Sequence, residues 1–236
     1  MKGIKILLVA VLLCLSSLQL SAHGYWLELQ GSGKAKKPCT IKMYYGDYPV
    51  GERLSGKTLD KMKDIKVYVL TPSGEKQSVT MTQMNDFWQG SFTPQAKGRY
   101  EIIGINDERE VQDWTKHHLG ITRPVQYLKT TYAVGQAGEQ QASLFLDMRV
   151  VRMDKTNYEV TLLKQGTALP AQKLVLAEFD KGETEFTTDV NGKINIKLDN
   201  PGLYILSVDW IDYTPGSFKG KNYETVRHRL DIAIEK

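Results

Sequence analysis

The sequence predicts an all-β protein built as two tandem immunoglobulin-like or carboxypeptidase-regulatory-like β-sandwiches. Apolar and polar residues alternate with period two over many short segments, and turn-forming residues punctuate those segments at regular spacing. A further observation sets the number of domains. Seven short strand-like segments follow Gln141 within about 100 residues, the size of one sandwich, and a separate series precedes them. The expected division is 1–22 as a signal peptide, 23–134 as the first sandwich and 139–236 as the second. The junction is read at Ala133-Val134-Gly135-Gln136-Ala137-Gly138-Glu139.

Residues 1–22 carry the three parts of a secretory leader. Lys2 and Lys5 give a positive start, Ile6 to Leu15 an apolar run, and Ser16 to Ala22 a small and polar exit. The run is shorter than the roughly 20 residues that span a bilayer, and no later run approaches that length. Leu12-Leu13-Cys14 lacks the small residue that precedes a lipidated cysteine, so Cys14 leaves with the leader. The expectation is an exported, periplasmic protein with no transmembrane segment in the mature chain. Loss of Lys2 and Lys5 takes the net charge from +4 to +2. That near balance favours no nucleic-acid or strongly anionic partner. Lys34, Lys36 and Lys37 read as a solvated turn. Cys39 remains as a lone thiol in the strand-like Pro38 to Tyr44, so no internal disulfide can form.

The first series comprises Lys66 to Leu70, a Thr71-Pro72-Ser73-Gly74 turn, Lys76 to Met84, Phe87 to Phe92 and Arg99 to Ile105. The second comprises Ala142 to Arg152, Tyr158 to Lys164, Lys173 to Phe179, Thr184 to Thr188, Lys193 to Leu198, Leu203 to Trp210 and Tyr223 to Ile234. Two stretches break the pattern. Tyr45 to Lys63 is rich in glycine and charge, with one helical turn expected at Thr58 to Met62. Asn106 to Gly120 is polar, and its Val111, Trp114 and His118 fall at helical spacing. Long loops of this kind are where a sandwich builds its sites. Asp189-Val190-Asn191-Gly192 reads as a tight hairpin turn, not a calcium loop, because the further acidic ligands are missing.

No nucleophile elbow, glycine-rich phosphate loop, His-Glu-x-x-His or paired-cysteine pattern is present, so no enzyme is expected. The four histidines are the remaining candidates. Cleavage after Ala22 would put an α-amine and an imidazole on one residue, His23, and the two nitrogens can close a chelate ring on a metal. His117 and His118 stand together on the polar loop and are taken as further metal ligands. His228 shares a strand face with Val226, Leu230, Ile232 and Ile234, which favours a core histidine. Nitrogen donors of this number suit nickel, copper or zinc, not calcium or magnesium. Glu28, Asp47 or Glu52 would complete the shell, and the sequence does not choose among them.

His23-Gly24-Tyr25-Trp26-Leu27-Glu28 resembles the His-x-x-Trp-Leu start of the NikM-like, nickel-uptake-associated periplasmic family, itself a domain of unknown function. Gly46-Asp47 after an early strand is similar to that family, as is Tyr127-Leu128-Lys129-Thr130, the counterpart of its segment between domains. Gly166 to Pro170 resembles a family turn, and Thr187 to Lys193 and Asn200 to Tyr204 resemble its second-domain hairpin. His117 and His118 match no motif of it. The resemblance implies uptake or handling of nickel, cobalt or a related divalent metal, with a membrane transporter or outer-membrane receptor as partner. Two other readings stand beside it. One is an envelope adaptor without metal. The other is an oxidative copper enzyme, which needs an open aromatic face from Trp26, Tyr44, Tyr45 and Tyr48.

Overall fold

β-Branched and aromatic residues at alternate positions pair into twenty strands among the described residues. The computed structural model describes residues 23–136, 138 and 143–236; the leader reading and Cys14 lie outside them. The first sheet holds β1 (Gly24–Gly31), β2 (Cys39–Asp47), β3 (Glu52–Arg53), β6 (Thr82–Gln83) and β7 (Trp88–Phe92). The central sheet holds β4 (Lys66–Leu70), β5 (Lys76–Val79), β8 (Gly98–Asn106), β9 (Gln112–Asp113), β10 (Ile121–Val134), β14 (Lys173–Glu178), β15 (Gly182–Thr187), β17 (Leu203–Asp212) and β20 (Thr225–Glu235). Its order is β15-β14-β17-β20-β10-β8-β4-β5, with β9 beside β10. The third sheet holds β11 (Leu146–Arg152), β12 (Asn157–Lys164), β13 (Thr167–Ala168) and β16 (Lys193–Lys197). A small hairpin, β18 (Gly216–Phe218) and β19 (Lys221–Tyr223), stands apart.

Side chains leave a strand alternately to either face, and β10 uses both. Leu128, Tyr132 and Val134 pack with Tyr25, Leu27 and Met43 of the first sheet. Val125 and Tyr127 pack with Leu146, Met148 and Val160 of the third. The outer sheets therefore cover opposite faces of the central one. The protein is an all-β sandwich assembly, and its two halves share that central sheet. β10 and β20 pair in parallel from Thr122 opposite Thr225 to Lys129 opposite Ile232. Tyr127-Leu128-Lys129-Thr130, expected between domains, lies inside this ladder. Pro124 sits between the stretch of β10 paired with β9 and the stretch paired with β8, so on that side no ladder bond needs its missing N–H.

The helical turn expected at Thr58 to Met62 is a 3₁₀ helix over Gly56–Met62 that buries Leu59 and Met62. The 106–120 loop carries the two-residue β9 and, for the helix expected there, a 3₁₀ turn at Thr115–His117. Among the described residues no helix is long and apolar enough to cross a membrane. Cys39 is fully buried beneath the first sheet, and burial pushes its thiol up to about 11.

A charged cluster fastens the third sheet to the central one. Lys129 Nζ on β10, 1% exposed, lies 2.7 Å from Asp147 Oδ1 on β11 and 3.1 Å from Glu101 Oε2 on β8. Asp147 also accepts from the backbone N–H of Ser143, Leu144 and Met148. Its carboxylate thus pins the start of β11. Lys129→Met would strand the buried Asp147 carboxylate without its cation and leave Glu101 only Arg99, at 3.7 Å. It is expected to cost about 3–5 kcal/mol in urea unfolding, far more than a surface lysine substitution.

His228 lies in the core, as its strand position predicts. Its ring stacks on Phe145 with centroids 4.5 Å apart, and Tyr127 Oη is 3.0 Å from Nδ1. Burial lowers its pKa to about 4, with the Asp212 carboxylate opposing. The native imidazole is neutral, while the unfolded chain takes up a proton near pH 6.5. Stability from this residue is therefore present above pH 6.5 and lost as pH falls through about 4, on the order of 3 kcal/mol in all. His228→Phe should flatten that part of the pH–stability curve, measured by denaturant midpoints from pH 7 to 4.

Candidate functional site

β1 and β2 pair antiparallel with Gly24 opposite Gly46, and β2 pairs with β3 so that Asp47 opposes Glu52. One residue further, the same register sets His23 opposite Asp47. Three residues therefore fall in one cross-strand row, with neighbouring Cβ atoms about 5 Å apart on one face. His23 Nε2 and Glu52 Oε2 are 3.8 Å apart, and both side chains are about half exposed. Asp47 between them is only 2% exposed. Burial raises its carboxyl above the usual range, the His23 ring opposes that rise, and Glu52 adds to it. The next positions on this face form the floor. The rings of Tyr25 and Tyr45 stack at 4.7 Å, and the His23 ring lies 5.7 Å from Tyr45. Lys61 Nζ lies 5.4 Å from the Tyr45 ring, and Arg109 opposes the burial-raised pKa of the Tyr25 hydroxyl.

The row is held from both sides. Gly51 closes the turn between β2 and β3 at φ 72°, a conformation that disfavours side chains, and a Cβ there would meet Asp180 at 2.9 Å. Next to Glu52, Arg53 bonds Glu28 Oε1 at 2.6 Å and lies over the rings of Tyr44 and Phe179. Glu28 also accepts from Trp26 Nε1 at 2.8 Å, so this carboxylate is committed to structure. Gly24 lies against the Tyr48 ring, where a Cβ would come within 2.5 Å. Tyr48 is buried in a polar network that sequence reasoning did not find. Its hydroxyl is 3.0 Å from both Asp231 Oδ1 and Ser207 Oγ, and Arg229 Nη2 donates to it at 2.5 Å. Gln126 and Arg229 complete the Asp231 shell.

The expected cluster of His23, His117 and His118 does not form. His117 and His118 are exposed on the 3₁₀ turn, where Asp113 caps the Thr115 N–H and His118 adopts φ 60°. The loop reaches β1 through Arg109, which acts on Tyr25, while its histidine turn is linked to Tyr48 through Trp114, Arg227, Asp209 and Arg229. The loop takes its place from the starts of β10 and β20 instead, through Thr122, Thr225 and Glu224. His228 faces the third sheet, on the side of β20 away from Asp231. Among the described residues, no three His, Cys, Asp or Glu side chains are close enough to hold a metal as they stand. Trp26, Tyr44, Tyr45 and Tyr48 are all buried, so they form no open aromatic face.

Residues 20–212 match the family model for a domain of unknown function, DUF4198. The chain belongs to that family. The match takes in the whole His23–Asp47–Glu52 row of this DUF4198 protein. No curated protein matches it. Among solved structures it is similar to a two-domain fibronectin type III segment of chicken tenascin, at 10% identity and TM-score 0.25, covering 90% of this chain and 100% of that one. A DUF4785 family protein of Legionella pneumophila gives 12% and 0.28, covering 89% and 56%. The D0-D1 domain of intimin gives 12% and 0.25, covering 90% and 98%. TM-scores this low carry no argument, and the architecture rests on the strand pairing itself.

Tyr48→Phe removes the hydroxyl shared by Asp231, Ser207 and Arg229. It is expected to lower unfolding free energy by about 1–3 kcal/mol, read from urea titration.

Proposed function

We propose that this DUF4198 protein is exported, begins at His23 once its leader is removed, and binds a divalent transition metal there to assist metal uptake. One observation bears most of the weight. His23 directly precedes β1, whose first four residues are all buried. A chain starting at His23 would therefore hold its α-amine and imidazole at the end of a rigid strand, with little ordering entropy left to lose on chelation. Cleaved behind Ala22, the amine is the donor that the present side chains lack. Amine and imidazole nitrogens select borderline ions, and the NikM-like resemblance points to nickel or cobalt among them. No reaction is assigned to the protein. Its partner on this reading is a membrane transporter or outer-membrane receptor in the periplasm.

A metal-free envelope adaptor is the second reading, favoured by the half-exposed His23 ring and by the separation of His117 and His118 from it. Calorimetric titration with Ni(II) and Co(II) separates the two. Protein secreted from its own leader, with His23 verified as first residue by mass spectrometry, should bind at least about tenfold more tightly than two altered forms. These are the same protein with one extra N-terminal residue, and His23→Ala. Equal binding by all three, or none by any, would sink the terminal-chelate reading.

A further inference from the structure

We infer that Asp47 is the buried anionic ligand of this metal, with Glu52 supplying the outer carboxylate. The inference rests on the terminal-histidine reading and extends it to residues that reading does not fix. Asp47 differs from the other buried aspartates of the fold. Asp147 meets Lys129 and three backbone N–H groups, and Asp231 meets Tyr48, Ser207, Gln126 and Arg229. Among the described residues, buried Asp47 Oδ1 has no hydrogen-bond partner. A carboxylate kept from water without a donor is costly, and is ordinarily paired or metal-bound.

The cross-strand row sets Asp47 between the two groups able to share a cation with it. On one side is His23; on the other is Glu52, whose charge repels that of Asp47 until a cation bridges them. Half-exposed His23 and Glu52 can turn inward onto an ion fixed by Asp47, closing their present 3.8 Å separation to ligand spacing. The resulting set is two neutral nitrogens and two anionic oxygens, which neutralises a divalent charge. It fits nickel, cobalt, copper or zinc better than calcium or magnesium, which take mostly oxygen ligands. Glu28 takes no part, because Trp26 and Arg53 occupy it.

The test uses secreted protein with the His23 terminus, titrated with Ni(II), as wild type, Asp47→Asn, Glu52→Gln and His23→Ala. Asp47→Asn should bind at least about tenfold more weakly and lose most of the metal-induced rise in Tm. Without metal its Tm should equal or exceed wild type, because a lone buried charge has gone; a merely structural aspartate would show a fall and unchanged affinity. If Asp47→Asn keeps wild-type affinity while His23→Ala loses it, Asp47 is not a ligand and the terminal chelate stands. If His23→Ala also keeps it, the terminal chelate itself fails. Wild-type protein loaded with Cu(II) keeps the inference testable even where Asp47→Asn does not fold. Electron paramagnetic resonance should show two nitrogens with oxygen in the equatorial plane, and four nitrogens would overturn it.

Discussion

The parallel ladder between β10 and β20 is the constraint on which the other packing depends. It joins strands about a hundred residues apart and turns two sandwiches into one central sheet with a cover on each face. Because β10 is buried on both faces, each of its side chains must satisfy one cover or the other. Leu128 and Tyr132 serve the first, and Val125, Tyr127 and Lys129 the third. The halves are therefore not separable at the glycine-rich stretch after Val134. Ile103, Val125 and Tyr127, all before that stretch, belong to the core of the second sandwich.

Much of the strand pattern was legible because one face of most strands is wet. Lys66–Leu70 alternates throughout and Asn157–Lys164 over its first four residues, and both fold as read to within a residue. β10 escaped notice for the opposite reason. Gln126, Lys129 and Thr130 are buried and polar, each satisfied by a partner far away in sequence, so the period-two signal vanishes where the sheet is most enclosed. β1 was masked likewise, since Trp26 packs on one side with Ala177 and Ile205 while Tyr25 and Leu27 pack on the other. A continuous apolar run gives composition without phase.

The candidate site was half legible. His23 stood out from its place behind the expected leader, and Asp47 and Glu52 were two of three carboxylates considered. Only strand register could choose between them and Glu28, because register depends on the turn at Tyr48 to Gly51 and not on local composition. His117 and His118 misled because adjacency in a polar loop says nothing about where that loop is tethered. The end of the loop that carries them is tethered by Thr122, Thr225 and Glu224 at the starts of β10 and β20, while only Arg109 of that loop acts on Tyr25. The Tyr48 network could not be foreseen, since it unites side chains from three strands and a turn.

Cys39 has a further meaning for how the folded molecule behaves toward oxidants. With its sulfur sealed under the first sheet and its proton firmly held, the folded chain offers oxidants no thiolate and cannot cross-link to a neighbour. Reactivity returns only when β2 leaves the sheet. The single sulfhydryl of the described residues thus acts as a built-in clock for opening of the first sandwich, silent while the edifice stands and audible to any thiol reagent when it does not.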